Sequence, residues 1–213
     1  KFSQPISEFS GRRWADLLLA ESIALQLLAE SGISSARTEI IEGKERLFLE
    51  VTRFDRVGSR GRLGIISLGA LDDEWFGKRD DWSKAAGRLL ERGAISKREA
   101  HTIQFLDAFG ALIANTDRHF GNLSFFWELG DIKANLAPAY DMLPMMYAPV
   151  EGQRVERKFQ LPAPQPEWLS EWTRARELAH EFWMRVSSDA RVSKEFRVIA
   201  KGNALLFRPH QKL

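Results

Sequence analysis

The sequence predicts an α+β fold, with strands and one helix over residues 1–54 and a mainly helical remainder over 55–213. Three observations carry this. Two β-rich runs, Ala36 to Ile41 and Arg46 to Phe54, face each other across Glu42-Gly43-Lys44. From Ala100 to Ala114 apolar residues occupy nearly every helical face, the pattern of a buried helix. Immediately after it, Leu123 to Trp127 and Ile132 to Leu136 read as a hairpin turning at Leu129-Gly130-Asp131.

The elements follow in order. Residues 12–31 predict a helix, because Trp14, Leu17, Leu18, Ile23, Leu25, Leu27 and Leu28 recur at mostly helical spacing and Gly32 stops it. After the strand pair, Arg56 to Gly64 is rich in Gly and Arg and is expected to be an exposed loop rather than a nucleic-acid patch. Trp82 to Arg92 predicts a second helix, stopped by Gly93. Ser96-Lys97-Arg98-Glu99 has the form of a capping box and sets the start of the buried helix. Six of the eight prolines lie between Pro138 and Pro166, so that stretch is expected to be irregular. Trp168, Leu169, Trp172, Ala175, Ala179, Phe182, Trp183 and Val186 make an apolar helical stripe, read as core packing.

Composition excludes several classes. The chain of 213 residues can bury roughly 70% of its unfolded surface as one domain or two small lobes. Apolar residues at 44% and charged residues at 28% fit an ordinary globule. The net charge of +2 gives little bulk attraction to nucleic acid. With no cysteine, disulfides, thiolate catalysis and Cys-ligated zinc are ruled out, which fits a reducing, cytoplasmic setting. No apolar run approaches the ~18 residues of a membrane span, so no membrane partner is expected. The first residue is Lys1 rather than Met, and the chain is read as a fragment of a longer protein.

The chemistry concentrates in Asn115-Thr116-Asp117-Arg118-His119-Phe120-Gly121-Asn122, between the buried helix and the hairpin, with Tyr140-Asp141 beyond. Two acids and an Asn in this order suit phosphoryl transfer. One carboxylate orients a hydroxyl while the Asn and the second carboxylate hold Mg2+ against phosphates, and Mg2+ prefers such hard oxygen ligands. Asp117 is the candidate catalytic acid, and Asn122 and Asp141 the candidate metal ligands. The hairpin between them turns the chain back, which could bring Asn122 and Asp141 together across 19 residues. His119 either contacts phosphate or braces the loop. No second Gly-rich loop of the P-loop or dinucleotide-binding type occurs.

These residues resemble the HipA family of bacterial protein serine/threonine kinases, toxins of toxin–antitoxin modules. Asn115 to Asn122 is similar to that family's catalytic loop, and its Asp-Arg-His-x-x-Asn core distantly resembles phosphoinositide-kinase-like enzymes. Tyr140-Asp141 resembles the family's metal-binding acid. Thr52-Arg53-Phe54-Asp55-Arg56 resembles its hinge, where backbone groups hold adenine, with Thr52 in place of the family's usual Glu. Lys1-Phe2 resembles the strand whose lysine contacts ATP phosphates, and Glu21 falls at the helix glutamate that pairs with it. The similarity covers most of residues 1–145.

The resemblance implies a protein-kinase-like fold: a partial small lobe with hinge (1–54) and a mainly helical large lobe (55–213). It implies ATP and Mg2+ as cofactors, with Lys1, Thr52, Arg53, Phe54, His119, Asn122, Tyr140 and Asp141 around the nucleotide and metal. It also implies a protein substrate, an antitoxin partner, and DNA reached only through that antitoxin. The family's phosphate-gripping loop precedes its lysine and is missing here, so residues 1–213 alone are expected to bind ATP–Mg2+ weakly. A terminus not pinned into a sheet is usually poorly ordered, so Lys1 is expected to be mobile and its pairing with Glu21 loose. Two other classes compete: a catalytically inactive kinase-fold binding module, and a metal-dependent hydrolase with Asp117, His119 and Asp141 as ligands.

Overall fold

A computed structural model describes residues 1–128 and 130–208. Helix α1 (Phe9–Glu30) is packed on almost all sides, with Leu17, Leu19, Leu25 and Leu28 fully buried. It ends as the sequence predicts, with Gly32 at φ +80° and the Ile33 N–H returning to the Leu28 carbonyl at 2.9 Å. Strands β1 (Thr38–Glu42) and β2 (Leu47–Val51) pair antiparallel, Ile41 opposite Phe48. Leu47 and Leu49 face inward toward α1 while Phe48 and Glu50 face out, the alternation of a half-buried sheet.

The first three residues do not dangle. Phe2 bridges Phe48 on the free edge of β2, and the Ser3 and Leu49 N–H groups bond to Leu47 and Lys1 carbonyls at 2.9 Å each. The expectation of a loose Lys1 is therefore corrected, because backbone pairing to β2 pins it.

The Gly-Arg stretch is exposed as expected, but it is not loop throughout. It forms a small hairpin, β3 (Arg56–Val57) with β4 (Gly61–Arg62), turned by Gly58 at φ +58°. Strand β5 (Ile65–Ser67) follows and runs into α2 (Leu68–Trp75), which Ser67 caps by accepting the Ala70 N–H. Helix α3 (Trp82–Glu91) is capped by Asp81, and α4 (Lys97–Leu112) starts with the full capping box of Ser96 and Glu99. Helix α4 is the centre of the larger part, with Ile103, Phe105, Phe109 and Leu112 at zero exposure.

Strand β6 (Ser124–Phe126) pairs with β5 on one side and β7 (Asn135–Leu136) on the other, all antiparallel. This is the expected hairpin; Leu129 of its turn lies outside the described residues. Residues 138–165 are irregular apart from a 3-10 turn at Met145–Tyr147, and a second 3-10 turn, Pro166–Trp168, follows. Helices α5 (Trp172–Ser188) and α6 (Lys194–Leu205) pack on each other, and α5 lies against α1 and α4. The aromatic stripe is core as expected: Phe182 and Trp183 are fully buried, and the Trp183 indole N–H donates to the Leu112 carbonyl at 3.1 Å. Leu169 is the exception. It sits in a turn before α5 begins and is 63% exposed.

Candidate active site

Helix α4 ends abruptly at the loop that carries the candidate chemistry. Ala114 stands at φ +60°, a left-handed turn that Gly would take more easily, and the Asn115 N–H closes on the Gly110 carbonyl at 2.9 Å. Such a conformation costs about 1–3 kcal/mol and persists only where the surroundings enforce it. The enforcement is visible. Arg118 reaches back along α4, its Nε donating to Asp107 Oδ1 at 3.1 Å and its guanidinium to the Asn115 carbonyl. Asp107 is buried, and its other oxygen accepts from Ser83 Oγ at 2.7 Å and Trp168 Nε1 at 3.1 Å.

Asn115 is wholly buried; its Oδ1 accepts the Asp117 N–H at 3.0 Å and its Nδ2 donates to the Asp141 carbonyl at 3.1 Å. The Asp117 side chain is half exposed and free to meet a ligand. His119 braces the loop: its Nδ1 accepts the Gly121 N–H at 3.0 Å, capping a 3-10 turn at Phe120–Asn122. That bond puts the proton of the neutral ring on Nε2, which lies 3.9 Å from Asp117 Oδ1. Asn122 donates its Nδ2 to the Asp117 carbonyl at 2.8 Å, so Oδ1 is the atom it has left for a cation.

The second acid arrives from below. Asp141 also has a left-handed backbone, φ +55°. Its neighbour Tyr140 is held by its hydroxyl, which lies 2.8 Å from the Gly121 carbonyl and 2.6 Å from Ser124 Oγ. Burial, with the Asp141 charge adding to it, pushes the Tyr140 phenol up against the opposing Ser124 bond. Lys1 Nζ bonds to both Glu21 oxygens, at 2.6 and 2.8 Å, and also to Asp141 Oδ1. Burial opposes the Lys1 charge, but the carboxylates of Glu21 and Asp141 outweigh it and raise its pKa. The Glu21 carboxyl, almost fully buried in α1, is pushed up by that burial while Lys1 pulls it down. A cavity of about 550 Å³ opens over this cluster, lined by Lys1, Trp14, Leu18, Asp117, Asp141 and Met145 among others.

The family of HipA-like C-terminal domains matches residues 1–201. The chain belongs to this family. It is 40% identical over 207 residues to "Toxin YjjJ" of Escherichia coli K12, covering 94% of this chain and 45% of that protein. The fold resembles that of HipA from Shewanella oneidensis, solved as a complex of HipA, HipB and operator DNA. The TM-score is 0.61 at 16% identity, with 90% of this chain and 54% of that one covered. It equally resembles the Helicobacter pylori proinflammatory kinase CtkA, with TM-score 0.61, 11% identity and coverage of 90% and 82%. The fold of this HipA-like domain is thus protein-kinase-like. The chain spans about half the length of the curated relative it matches.

Within the HipA-like domain, the cavity unites Lys1, Asp117 and Asp141, whereas Asn122 and His119 stand beside Asp117 without lining it. Thr52, Arg53 and Phe54 also lie off its lining. The Thr52 N–H is spent on the Arg37 carbonyl at 2.9 Å, and the exposed Arg53 forks onto Asp55 at 2.7 and 2.5 Å. Phe54 packs between Phe126 and Tyr140, ring centroids 6.0 and 5.9 Å away. Sequence reasoning gave no role to Asn115 or Asp107. The available signal was a polar residue inside an apolar run: Asp107 in α4, and Asn115 directly after Ile113-Ala114. Among the described residues no three His, Asp or Glu side chains group as a metal-holding set. Asp117, His119 and Asp141 therefore do not assemble the site that a metal-dependent hydrolase would need.

Proposed function

We propose that this chain is the catalytic part of an ATP- and Mg2+-dependent protein serine/threonine kinase, acting as the toxin of a bacterial toxin–antitoxin module. The observation that carries this reading is one cavity holding Lys1, Asp117 and Asp141, with Lys1 tied to Glu21 on α1, in a kinase-like fold. Residues 1–54 would form part of the small lobe with the hinge, and 55–213 the large lobe. Asp117 accepts the proton of the acceptor hydroxyl as its oxygen attacks the γ-phosphorus of ATP and the bond to the bridging oxygen of ADP breaks. Lys1 bonds to the phosphates, and His119 offers its Nε2 proton toward Asp117 or the phosphoryl oxygens. Thr52 to Phe54 border the adenine through the N–H groups of Arg53 and Phe54, which have no protein partner among the described residues. Tyr140 sets the position of Asp141. Asn122 Oδ1 and the Asp141 carboxylate are hard oxygens fit to hold Mg2+, which would neutralise phosphate charge and keeps most of its other positions for water and phosphate.

The structural likeness to HipA, solved with HipB and operator DNA, supports an antitoxin partner here and contact with DNA only through it. Among the described residues no helix is long and apolar enough to cross a membrane, in keeping with a cytoplasmic protein substrate. The test is incubation of the full-length protein with labelled ATP and a cell lysate. Asp117→Asn should abolish labelling while ATP affinity stays within about threefold, since the residue acts on the acceptor. Asp141→Asn should weaken Mg2+-dependent nucleotide binding as well. Normal activity in both variants would remove these roles.

A further inference from the structure

The two acids of the cleft come from segments far apart in sequence, yet one side chain touches the backbone of both. Asn115 is at 0% exposure, bonded through Oδ1 to the Asp117 N–H and through Nδ2 to the Asp141 carbonyl, 26 residues away. We propose that Asn115 is a positioning residue whose single carboxamide fixes the spacing between Asp117 and Asp141. Its catalytic consequence rests on the kinase reading; the spacing itself does not.

The chemistry of the site favours this residue type. A short side chain must present one acceptor and one donor in a fixed plane, and a carboxamide does so. An aspartate there keeps the acceptor for Asp117 but loses the donor to Asp141; an alanine loses both. The need for a clamp is physical as well. Asp141 is a non-glycine residue at φ +55°, and its conformation must be held from outside. Its carboxylate is bonded to Lys1 and its carbonyl to Asn115, so side chain and backbone are fixed by different partners. Asn115 is in turn immobilised, its N–H on Gly110 and its carbonyl on Arg118. The clamp thus joins the end of α4 to the segment bearing the second acid, and a small error in it would separate the proton acceptor from the metal ligand.

The experiment compares Asn115→Ala and Asn115→Asp in the full-length protein, with Val186→Ala in the core of α5 as a control for plain destabilisation. Hydrogen exchange is followed in peptides covering 115–118 and 139–143, together with kcat, acceptor KM and the Mg2+ concentration for half-maximal rate. Asn115→Ala should raise exchange in both peptides, and Asn115→Asp mainly in 139–143. Turnover should fall by about a hundredfold, the loss expected for a misplacement near 1 Å. Half-maximal Mg2+ should rise, and acceptor KM should stay within about twofold, since Asn115 does not touch the acceptor.

Unchanged exchange in 139–143 for Asn115→Ala would overturn the proposal. So would the same pattern from Val186→Ala, or loosened segments with unaltered kcat and Mg2+ dependence. Failure of both Asn115 variants to fold would also overturn it, by making the residue a determinant of folding. If the unmodified protein transfers no phosphoryl group, the kinase reading fails, and the exchange data alone decide the spacing.

Discussion

Replacing Asp107 by Ala removes the acceptor on which the catalytic loop is braced, and the cost can be worked donor by donor. Ser83 O–H, Trp168 Nε1 and Arg118 Nε all point at this one carboxylate, at 2.7, 3.1 and 3.1 Å. Trp168 keeps a second acceptor in Ser83 Oγ at 3.0 Å, so its N–H is not orphaned. Arg118 is a quarter exposed and can turn to water, but its charge-assisted bond, worth about 1.5–3 kcal/mol, is lost. Ser83 is buried, and its hydroxyl is left without an acceptor, a penalty of about 1–3 kcal/mol. The sum is about 2.5–6 kcal/mol, centred on the ~3–5 kcal/mol seen when one partner of a buried ion pair is removed. At ~2–4 °C per kcal/mol for a chain of this size, Tm should fall by about 10 °C. Asp107→Asn keeps one carbonyl for Ser83 and Trp168 and loses mainly the Arg118 bond, so it should cost about 1.5–3 kcal/mol, less than Asp107→Ala. Urea titration gives both values from the midpoint shift at constant slope. A cost below about 0.5 kcal/mol for Asp107→Ala, the level of an ordinary surface change, would refute the brace. An equal cost for the two variants would refute the donor-by-donor account.

Under the kinase reading, Gly110→Ala should lower phosphotransfer, and it should lack the stability gain of about 1 kcal/mol that Ala normally brings to a helix. The added Cβ would lie 2.5 Å from Arg118 Cδ, so Arg118 must leave Asp107; parallel melting curves and phosphotransfer assays read both effects. Asp72→Asn should cost about 2 kcal/mol at neutral pH, because Asp72 accepts the Lys78 and Arg79 N–H groups at 2.8 and 3.0 Å and pairs with Arg88 at 2.9 Å. Burial pushes this carboxyl up, but those donors outweigh it and lower its pKa below the ordinary 3.8. The folded state therefore releases the proton more readily than the unfolded one. The stability difference between the two proteins should be full above pH 3.8 and vanish as the pH falls through the lowered value; denaturant midpoints measured across that range check it.

The parts of this fold that announce themselves in sequence are those governed by local chemistry. The capping box at Ser96, the all-round apolar face of α4 and the stop at Gly32 each involve groups within a few residues, and each stands where expected. Elements whose stability is tertiary did not show. Helix α2 spans only Leu68–Trp75; its Leu68 and Leu71 are buried, and it packs on β5 and the 3-10 turn Phe120–Asn122. Helix α6 leaves Val198 72% exposed, which blurs its apolar periodicity, and packs on α5 through Phe196 and Ala200. At the site, the motif gave the order of acids and amides, which is a property of the chain. The Lys1–Glu21 pair came with the family resemblance, but the partners of Asn115 and Asp107 and the second bond of Lys1, to Asp141, could not be read, because each joins segments that only the folded topology brings together.

The electrostatics of the cleft explain why Lys1 is shared. Glu21 and Asp141 place two carboxylates on one ammonium, and Asp117 lines the same cavity. Among the described residues, Lys1 is the side chain that donates to both Glu21 and Asp141. Under the kinase reading, Asp141 and Asn122 would hold a divalent ion, whose charge would offset these carboxylates. Lys1 would then be able to leave Asp141 for the phosphates, while Glu21, bonded through both oxygens, holds it in place. On that reading the same lysine would serve both Asp141 and the nucleotide, with the buried glutamate of α1 holding it for either.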